Sequence, residues 1–287
     1  MKLTKRQIIL SIITGIIVCV NLAYYLISRV DNPIAIKKYS ELFFNDTLTI
    51  EMIKENNGDL ERESEWFFND GVEHITVEFP EINKTYYMSA YNSEGTKNKY
   101  KLLRYCLNMD DDFEKYINDN GPVTLTRAII IDRDKNYDVD LGEITLNPYK
   151  NQSGELKMEL RSSESDNGKS KLYFLPGEDV YLNKIESKYL DELKEYYNIY
   201  IMVDGEKIPV ENIKYPYKIK KGSDFQFIVI KKDNINIDSE KYYYTYIRVE
   251  LGNENKETEN SYVRVRNKDS RNLLNEKSIL NLKYNDL

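Results

Sequence analysis

The sequence predicts a mainly β protein, with sandwich-like domains and one or two short helices, behind a single N-terminal transmembrane helix. Two observations predict this class. An uncharged run of twenty residues extends from Ile8 to Ile27, and as an α-helix it would span about 30 Å, the thickness of a bilayer's hydrocarbon core. After it, most periodic segments alternate between apolar and polar side chains, which is typical of strands with one buried face. Many short strands with few helices favour sandwich-like domains.

The apolar run is predicted to be an uncleaved signal anchor at residues 7–28. A secretory signal peptide has a shorter apolar stretch, about 7–15 residues, followed by a small-x-small cleavage site. Residues 28–33 (SRVDNP) offer no such site. Basic residues near the first helix favour the cytoplasmic side. We therefore expect residues 1–6, with Lys2, Lys5 and Arg6, to form a cytoplasmic tail, and the chain from residue 33 to lie outside the cytoplasm at the cell membrane. The opposite orientation is the alternative, because Arg29, Lys37 and Lys38 follow the helix.

Small residues recur at every fourth position of the predicted helix: Ser11, Gly15, Cys19 and Ala23. Residues four apart lie on one helix face, and small side chains there let a second helix approach closely. The stripe predicts a homodimer or a partner membrane protein. Such stripes also arise by chance, since small residues are common in membrane helices.

Charge and composition restrict the function. The chain has 48 acidic and 41 basic residues, a formal net charge of −7. Four of the bases but only one acid precede residue 33, so the remainder is still more acidic. This disfavours nucleic acids and anionic membrane surfaces as partners, because both require a cationic face. No nucleic-acid partner is expected.

The chain has two cysteines and a single histidine. Cys19 lies in the apolar run and Cys106 in the apolar segment LLRYCL, so we expect no internal disulfide and interpret Cys106 as a buried, inert thiol. His74 lies in an alternating, strand-like segment. One histidine without a cysteine cluster disfavours a zinc site, and a Ser–His–Asp triad would depend on His74 alone.

Strands are predicted where the alternation is clearest. These segments are Thr47–Ile53, His74–Phe79, Thr85–Ala90, Val123–Ile131, Glu155–Arg161, Ile199–Val203, Phe225–Lys231, Tyr242–Leu251 and Tyr262–Arg266. Asp204-Gly205 predicts a tight hairpin, because glycine accepts positive φ. Further turns are expected at Asn69–Gly71, Asn120–Pro122 and Lys221–Asp224.

Apolar spacing predicts helices at Leu102–Ile117 and, more clearly, at Leu182–Tyr197. Lys268–Leu287 is interpreted as a helix or a loose tail. Residues 162–170 (SSESDNGKS) contain no apolar side chain, and they are either a linker between two β-domains or a hairpin loop within one. We favour the linker, which divides the exposed part into domains at 33–161 and 171–287.

The strongest local signal for chemistry is the segment from residue 132 to 143 (DRDKNYDVDLGE). Oxygen-bearing side chains occupy places 1, 3, 5, 7, 9 and 12: Asp132, Asp134, Asn136, Asp138, Asp140 and Glu143. This spacing resembles the EF-hand calcium loop over these twelve residues. The resemblance implies side-chain ligands at Asp132, Asp134, Asn136 and Glu143, a carbonyl ligand at Asp138, and Asp140 acting through water, with Ca²⁺ as the cofactor.

The segment departs from the EF-hand pattern in two respects. Tyr137 stands where that loop has glycine, and both flanks have strand-like rather than helical sequences. A bound cation would therefore lie in a strand–loop–strand setting. The alternative is a solvated hairpin, because period-two alternation also places these polar side chains on one strand face.

The sequence favours a single-pass, membrane-anchored protein with an extracytoplasmic, non-enzymatic binding or structural module and a calcium-stabilised loop. One alternative is a glycosidase-like envelope hydrolase that uses two carboxylates. Another is a sensor or assembly subunit that pairs through the membrane helix. Nothing in the sequence selects a catalytic carboxylate pair.

Overall fold

The computed structural model describes residues 5–30, 32–43, 46–55, 74–92, 100–108, 111–132, 135–148, 156, 158–165, 169–233, 241–255, 257–267, 279–280 and 282–283. Strands account for 58% of the structure and form three sheets. The predicted class, mainly β with few helices behind an N-terminal apolar helix, is confirmed.

The helices and strands follow one another along the chain. The helices are α1 (Lys5–Ser28), α2 (Asp111–Asn120) and α3 (Leu190–Tyr196), and a 3₁₀ turn covers Val210–Asn212. The strands are β1 (Ile34–Ala35), β2 (Lys38–Phe43), β3 (Thr47–Glu55), β4 (His74–Phe79), β5 (Lys84–Asn92), β6 (Tyr100–Asn108), β7 (Val123–Asp132), β8 (Lys135–Asn147), β9 (Met158–Ser165), β10 (Lys169–Pro176), β11 (Val180–Glu186), β12 (Tyr197–Val203), β13 (Glu206–Pro209), β14 (Tyr217–Ile219), β15 (Phe225–Lys231), β16 (Tyr242–Gly252) and β17 (Thr258–Arg266).

The first sheet curls into a barrel-like ring. Its strands lie in the order β3-β6-β5-β4-β7-β8, and the chain segment 34–43 bridges the two ends. β1 pairs with β3 in antiparallel fashion, whereas β2, which follows it directly, runs parallel to β8. Apolar side chains fill the ring, and Phe113 and Ile117 of α2 pack against them.

The second half is a β-sandwich. One sheet has the strand order β13-β12-β15-β10-β9, and the other contains β14, β11, β16 and β17. Buried apolar side chains from both sheets form one core, which includes Phe174 and Phe227 of the first of these sheets and Leu182 and Val249 of the second. Residues Lys38 and Tyr39 of β2 pair with Tyr242 and Tyr243 of β16, which joins the sandwich to the ring.

All nine predicted strands lie in or overlap strands of the fold. The Asp204-Gly205 hairpin is confirmed, with φ values of 50° and 86° between the paired strands β12 and β13. Residues 162–165 belong to β9 and residues 169–170 to β10, with Ser165 paired to Lys169 in antiparallel fashion. Residues 166–168 lie outside the described residues, and the division into domains 33–161 and 171–287 stays a prediction.

Both internal helix predictions are wrong in their first halves. β6 occupies Leu102 to Asn108, and α2 begins only at Asp111; β11 occupies Leu182 to Glu186, and α3 begins only at Leu190. Because of a β-bulge between Leu182 and Lys184, the side chains of Leu182 and Ile185 both lie in one core. These residues are three apart in the sequence, a spacing that is typical of a helix face. The Asn69–Gly71 turn and most of Lys268–Leu287 lie outside the described residues.

A bulge in β8 shapes the hairpin that it forms with β7. Leu125 pairs with Ile144 and Arg127 with Asp140, so three β8 residues lie opposite Thr126. The carboxylate oxygen Oε1 of Glu81 accepts hydrogen bonds from the backbone N–H groups of Thr126 at 2.7 Å and Arg127 at 2.8 Å, and from the Thr126 hydroxyl at 2.7 Å. Glu81 thus satisfies backbone donors at the irregularity.

Substituting Glu81→Gln is expected to change the pH dependence of stability. Partial burial opposes ionisation, but the bonds from Thr126 and Arg127 outweigh it and lower the pKa of Glu81. A carboxyl with a lowered folded-state pKa stabilises the fold above its unfolded pKa of about 4.3, and this contribution is lost as the pH falls through the folded value. Urea unfolding of the full-length protein in detergent, at pH 3 to 7, should show a shallower acid-side loss in the variant. Parallel profiles would contradict this role.

Candidate functional site

Helix α1 contains an apolar segment long enough to cross a membrane. The segment Leu10–Ser28 has 19 residues and a mean hydropathy of 2.1, and its side chains from Leu10 to Ile27 are exposed. A signal sequence near an N-terminus shares this length and composition. All four residues of the predicted packing stripe are exposed, and a Cβ added at Gly15 would meet nothing within 4 Å. The role of the stripe stays a prediction.

The carboxyl end of α1 is built into the β-rich part. Ser28 is only 2% exposed and Val30 only 6%. The Tyr100 hydroxyl donates to the Ser28 carbonyl at 2.7 Å, and the Lys283 ammonium donates to the carbonyls of Ile27 at 3.1 Å and Arg29 at 2.8 Å. The last carbonyls of a helix lack intrahelical donors, and a cation there also complements the helix dipole. These bonds therefore stabilise the helix end where it meets the sheet.

We call the apolar cluster at this point the helix seat. It consists of Val30, Ile36, Ile53, Tyr100, Leu102, Tyr242 and Ile279. The cluster combines residues just after α1 with strands β3, β6 and β16 and with Ile279, which is 1% exposed. Residues just after α1 and residues near position 280 thus meet at the base of the apolar helix.

A cavity of about 540 Å³ lies beside the helix seat. Its lining residues are Val30, Asn32, Pro33, Ile34, Ala35, Lys37, Asp138, Val139, Asp140, Leu282 and Lys283. The walls are mainly apolar, and the two carboxylates each have a cationic partner. Asp140 Oδ2 lies 2.9 Å from Lys37 Nζ, and Asp138 pairs with Arg127. The cavity therefore presents apolar surface bordered by neutralised ion pairs.

The structure spreads the predicted calcium ligands along a hairpin. Asp132 ends β7, while Asn136, Asp138, Asp140 and Glu143 lie in β8, where the extended stretch from Asn136 to Asp140 alone spans roughly 13 Å. Glu143 pairs with Lys188, so a cation here would replace basic partners of three carboxylates. Within the described ranges, no group of three or more His, Cys, Asp or Glu residues could hold a metal ion. Asp134 and the Asp132 side chain lie outside them, and the calcium site stays a prediction.

A buried ion cluster that sequence reasoning missed lies next to the helix seat. Glu51 is 3% exposed and Lys38 is 5% exposed. The Lys38 ammonium lies 3.2 Å from Glu51 Oε2 and donates to the Thr49 carbonyl at 3.0 Å. Arg104 donates to Glu51 Oε1 through Nε at 2.8 Å and through a terminal nitrogen at 2.6 Å. An acid between Ile50 and Met52 in an apolar strand was the available signal.

The opposite charges in this cluster favour one another's ionised form, which burial disfavours. Burial opposes ionisation of Glu51, but the charge of Lys38 and the bonds from Arg104 outweigh it and lower the Glu51 pKa. Burial lowers the pKa of Lys38 although the Glu51 charge opposes this. Cys106 lies nearby and is partly exposed, with its sulfur 3.8 Å from the Thr49 hydroxyl. The His74 side chain lies outside the described residues.

Comparison with known proteins adds no family. No family model and no curated protein matches this chain. One similar solved structure is a protein of unknown function from Porphyromonas gingivalis W83, with 8% identity, a TM-score of 0.20, and coverage of 84% of this chain and 97% of that one. Another is the class 5 fimbriae chaperone CfaA, with 10% identity, a TM-score of 0.17, and coverage of 80% and 98%. At these TM-scores neither similarity carries an argument about fold or function.

Proposed function

We propose that this chain is a single-pass membrane protein whose helix α1 is retained as an anchor, and that residues 33–287 form a non-enzymatic binding or structural module outside the cytoplasm. The observation that carries the proposal is the helix seat. Cleavage between Ser28 and Pro33 would remove the Ser28 carbonyl, which accepts a bond from Tyr100, and the Ile27 carbonyl, which accepts one from Lys283. Cleavage would also place Val30, an apolar residue of the seat, at or next to a new chain end, or remove it.

Retention of the helix gives the module a defined place. A helix ending at Ser28 would put the seat and its cavity directly beside the headgroup layer, which extends several ångströms beyond the hydrocarbon core. The β-rich part is joined to the helix by packing and hydrogen bonds rather than by a free linker. The module would therefore be presented at a constant height above the membrane.

The cavity supports a binding role over the hydrolase alternative. A carboxylate-based glycosidase requires two acids about 5–9 Å apart, one of them protonated or poised as a nucleophile. In the cavity, Asp138 and Asp140 are instead ion-paired with Arg127 and Lys37. Arg127 holds the Asp138 pKa below its usual value, which disfavours a general acid at that position.

The test is the intact mass and N-terminal sequence of the full-length protein after expression in a bacterial host and recovery from membranes washed with carbonate. We expect the uncleaved chain in the membrane pellet, and digestion of the β-rich part when protease is added to the outside of spheroplasts. The double variant Ser28→Ala/Val30→Ala is a matched control, because it introduces the small-x-small pattern that signal peptidase recognises. A wild-type chain beginning between residues 28 and 33, or a β-rich part protected from external protease, would contradict the proposal.

A further inference from the structure

The apolar helix carries a side-chain amide close to its centre. Cys19 is the middle residue of Leu10–Ser28, so Asn21 lies about 3 Å from the centre along the helix axis. The Asn21 side chain is exposed, and its Nδ2 donates to the Ile17 carbonyl at 2.7 Å. Within the part of the chain that the structure describes, this is the amide's one hydrogen bond. In hydrocarbon, the remaining N–H and the carbonyl oxygen require partners.

Asn21 does not stand alone on its helix face. Seven residues are nearly two helical turns, so Thr14 and Ser28 lie on the same face as Asn21. Ser28 is covered by the protein's own β-rich part. A second helix could therefore contact this face only at residues before Ser28. The predicted small-residue stripe lies elsewhere, because Cys19 is about 160° from Asn21 around the axis.

We propose that α1 pairs in the membrane with α1 of a second copy, with Asn21 at the contact and Thr14 one heptad before it. This inference rests on the proposed function, since it requires α1 to remain in the bilayer. The amide is self-complementary: across a two-fold axis each Asn21 donates an N–H to the other and accepts one in return. A single polar residue in an apolar seam also fixes the register of paired helices.

The covered position of Ser28 determines how such a pair is arranged. Two helices in contact at Asn21 and Thr14 diverge toward their carboxyl ends, where each enters its own helix seat. The contact is therefore near the middle and amino-terminal half of α1, and the two β-rich parts lie side by side on one face of the membrane.

Energy transfer between full-length proteins in liposomes tests this inference. Separate samples carry a donor or an acceptor dye at the amino terminus, and transfer is followed as the lipid-to-protein ratio rises. We expect wild-type transfer to fall with dilution, as for a reversible dimer, and Asn21→Leu to dimerise about 5- to 30-fold more weakly, the range expected for loss of an interhelical amide contact. Asn21→Gln, which keeps the amide, and Gly15→Ile, on the other face, should behave like wild type.

Two results would overturn the pairing. One is equal transfer in wild type and Asn21→Leu, including no transfer in either. The other is transfer lost in Gly15→Ile but kept in Asn21→Leu, which would assign the contact to the small-residue stripe. Carbonate extraction of the same liposomes separates this inference from the proposed function. Protein released by carbonate contradicts the anchor, whereas retained protein without transfer contradicts the pairing alone.

Discussion

Glu51→Ala is expected to lower the free energy of unfolding by about 3–5 kcal/mol, the usual cost of leaving a buried charge without its partner. Lys38 is 5% exposed and cannot reach water without opening the sheet, so its ammonium would stay buried beside an empty space. Arg104 is partly exposed and can be solvated, so the loss falls mainly on Lys38. Urea unfolding of the full-length protein in detergent, followed by far-UV circular dichroism, measures the change.

The double variant Lys38→Met/Glu51→Leu provides the matched control. Replacing both members of a buried ion pair by apolar residues of similar size is often neutral or stabilising. We therefore expect it to recover most of the stability that Glu51→Ala loses. Asp138→Ala, which breaks an exposed ion pair with Arg127, should have a much smaller effect. A small loss in Glu51→Ala, or a double variant as unstable as the single one, would show that the cluster does not act as a charge pair.

Gly142→Ala is expected to destabilise the fold by about 2–5 kcal/mol. Gly142 has a φ of 80°, and a Cβ at this position would lie 2.6 Å from the Lys38 carbonyl oxygen and 2.9 Å from the Lys38 nitrogen. Both are backbone atoms of β2, so no side-chain rotation relieves the overlap. The pairing of β2 with β8, which closes the ring, would have to shift.

Gly121→Ala separates the two causes of this loss. Gly121 has nearly the same φ, 81°, but a Cβ there would meet nothing within 4 Å. The control variant should therefore lose only the conformational term, about 1–2 kcal/mol. Equal losses in the two variants, measured by the same urea unfolding, would mean that β2 yields to the added methyl group and that close packing at Gly142 is unimportant.

Local periodicity predicted most of the strands, because apolar and polar residues alternate in the sequence of a strand that has one buried face. It failed where a strand has two buried faces. β6 directs Tyr100 and Leu102 into the helix seat but Tyr105 and Leu107 into the ring. The buried side therefore changes within the strand, and the apolar run loses its alternation. The same loss of period led to the helix prediction at Leu102–Ile117.

The candidate site could not be read from the sequence because its contacts are remote along the chain. Lys283 bonds to the Ile27 carbonyl 256 residues away, and Tyr100 reaches Ser28 across 72 residues. The spacing of apolar residues in a single sequence predicts individual helices and strands, but it does not indicate which of them contact one another. The apolar helix was predictable by length alone, whereas the seat beneath it required the fold.

The pairing of β2 with β16, two strands that are far apart along the chain, has a consequence for how this protein is made. The Ser40 hydroxyl of β2 finds its acceptor, the Tyr244 carbonyl, 204 residues later. At a ribosomal rate of 5–20 residues per second, the edge of β2 stays unpaired with β16 for roughly 10–40 s. Folding that proceeds from the amino terminus cannot complete the helix seat before Tyr242 and Ile279, which belong to it, have been synthesised. The nascent chain therefore exposes this edge while the segment between the two strands is synthesised, and a factor that shields it would act during that interval.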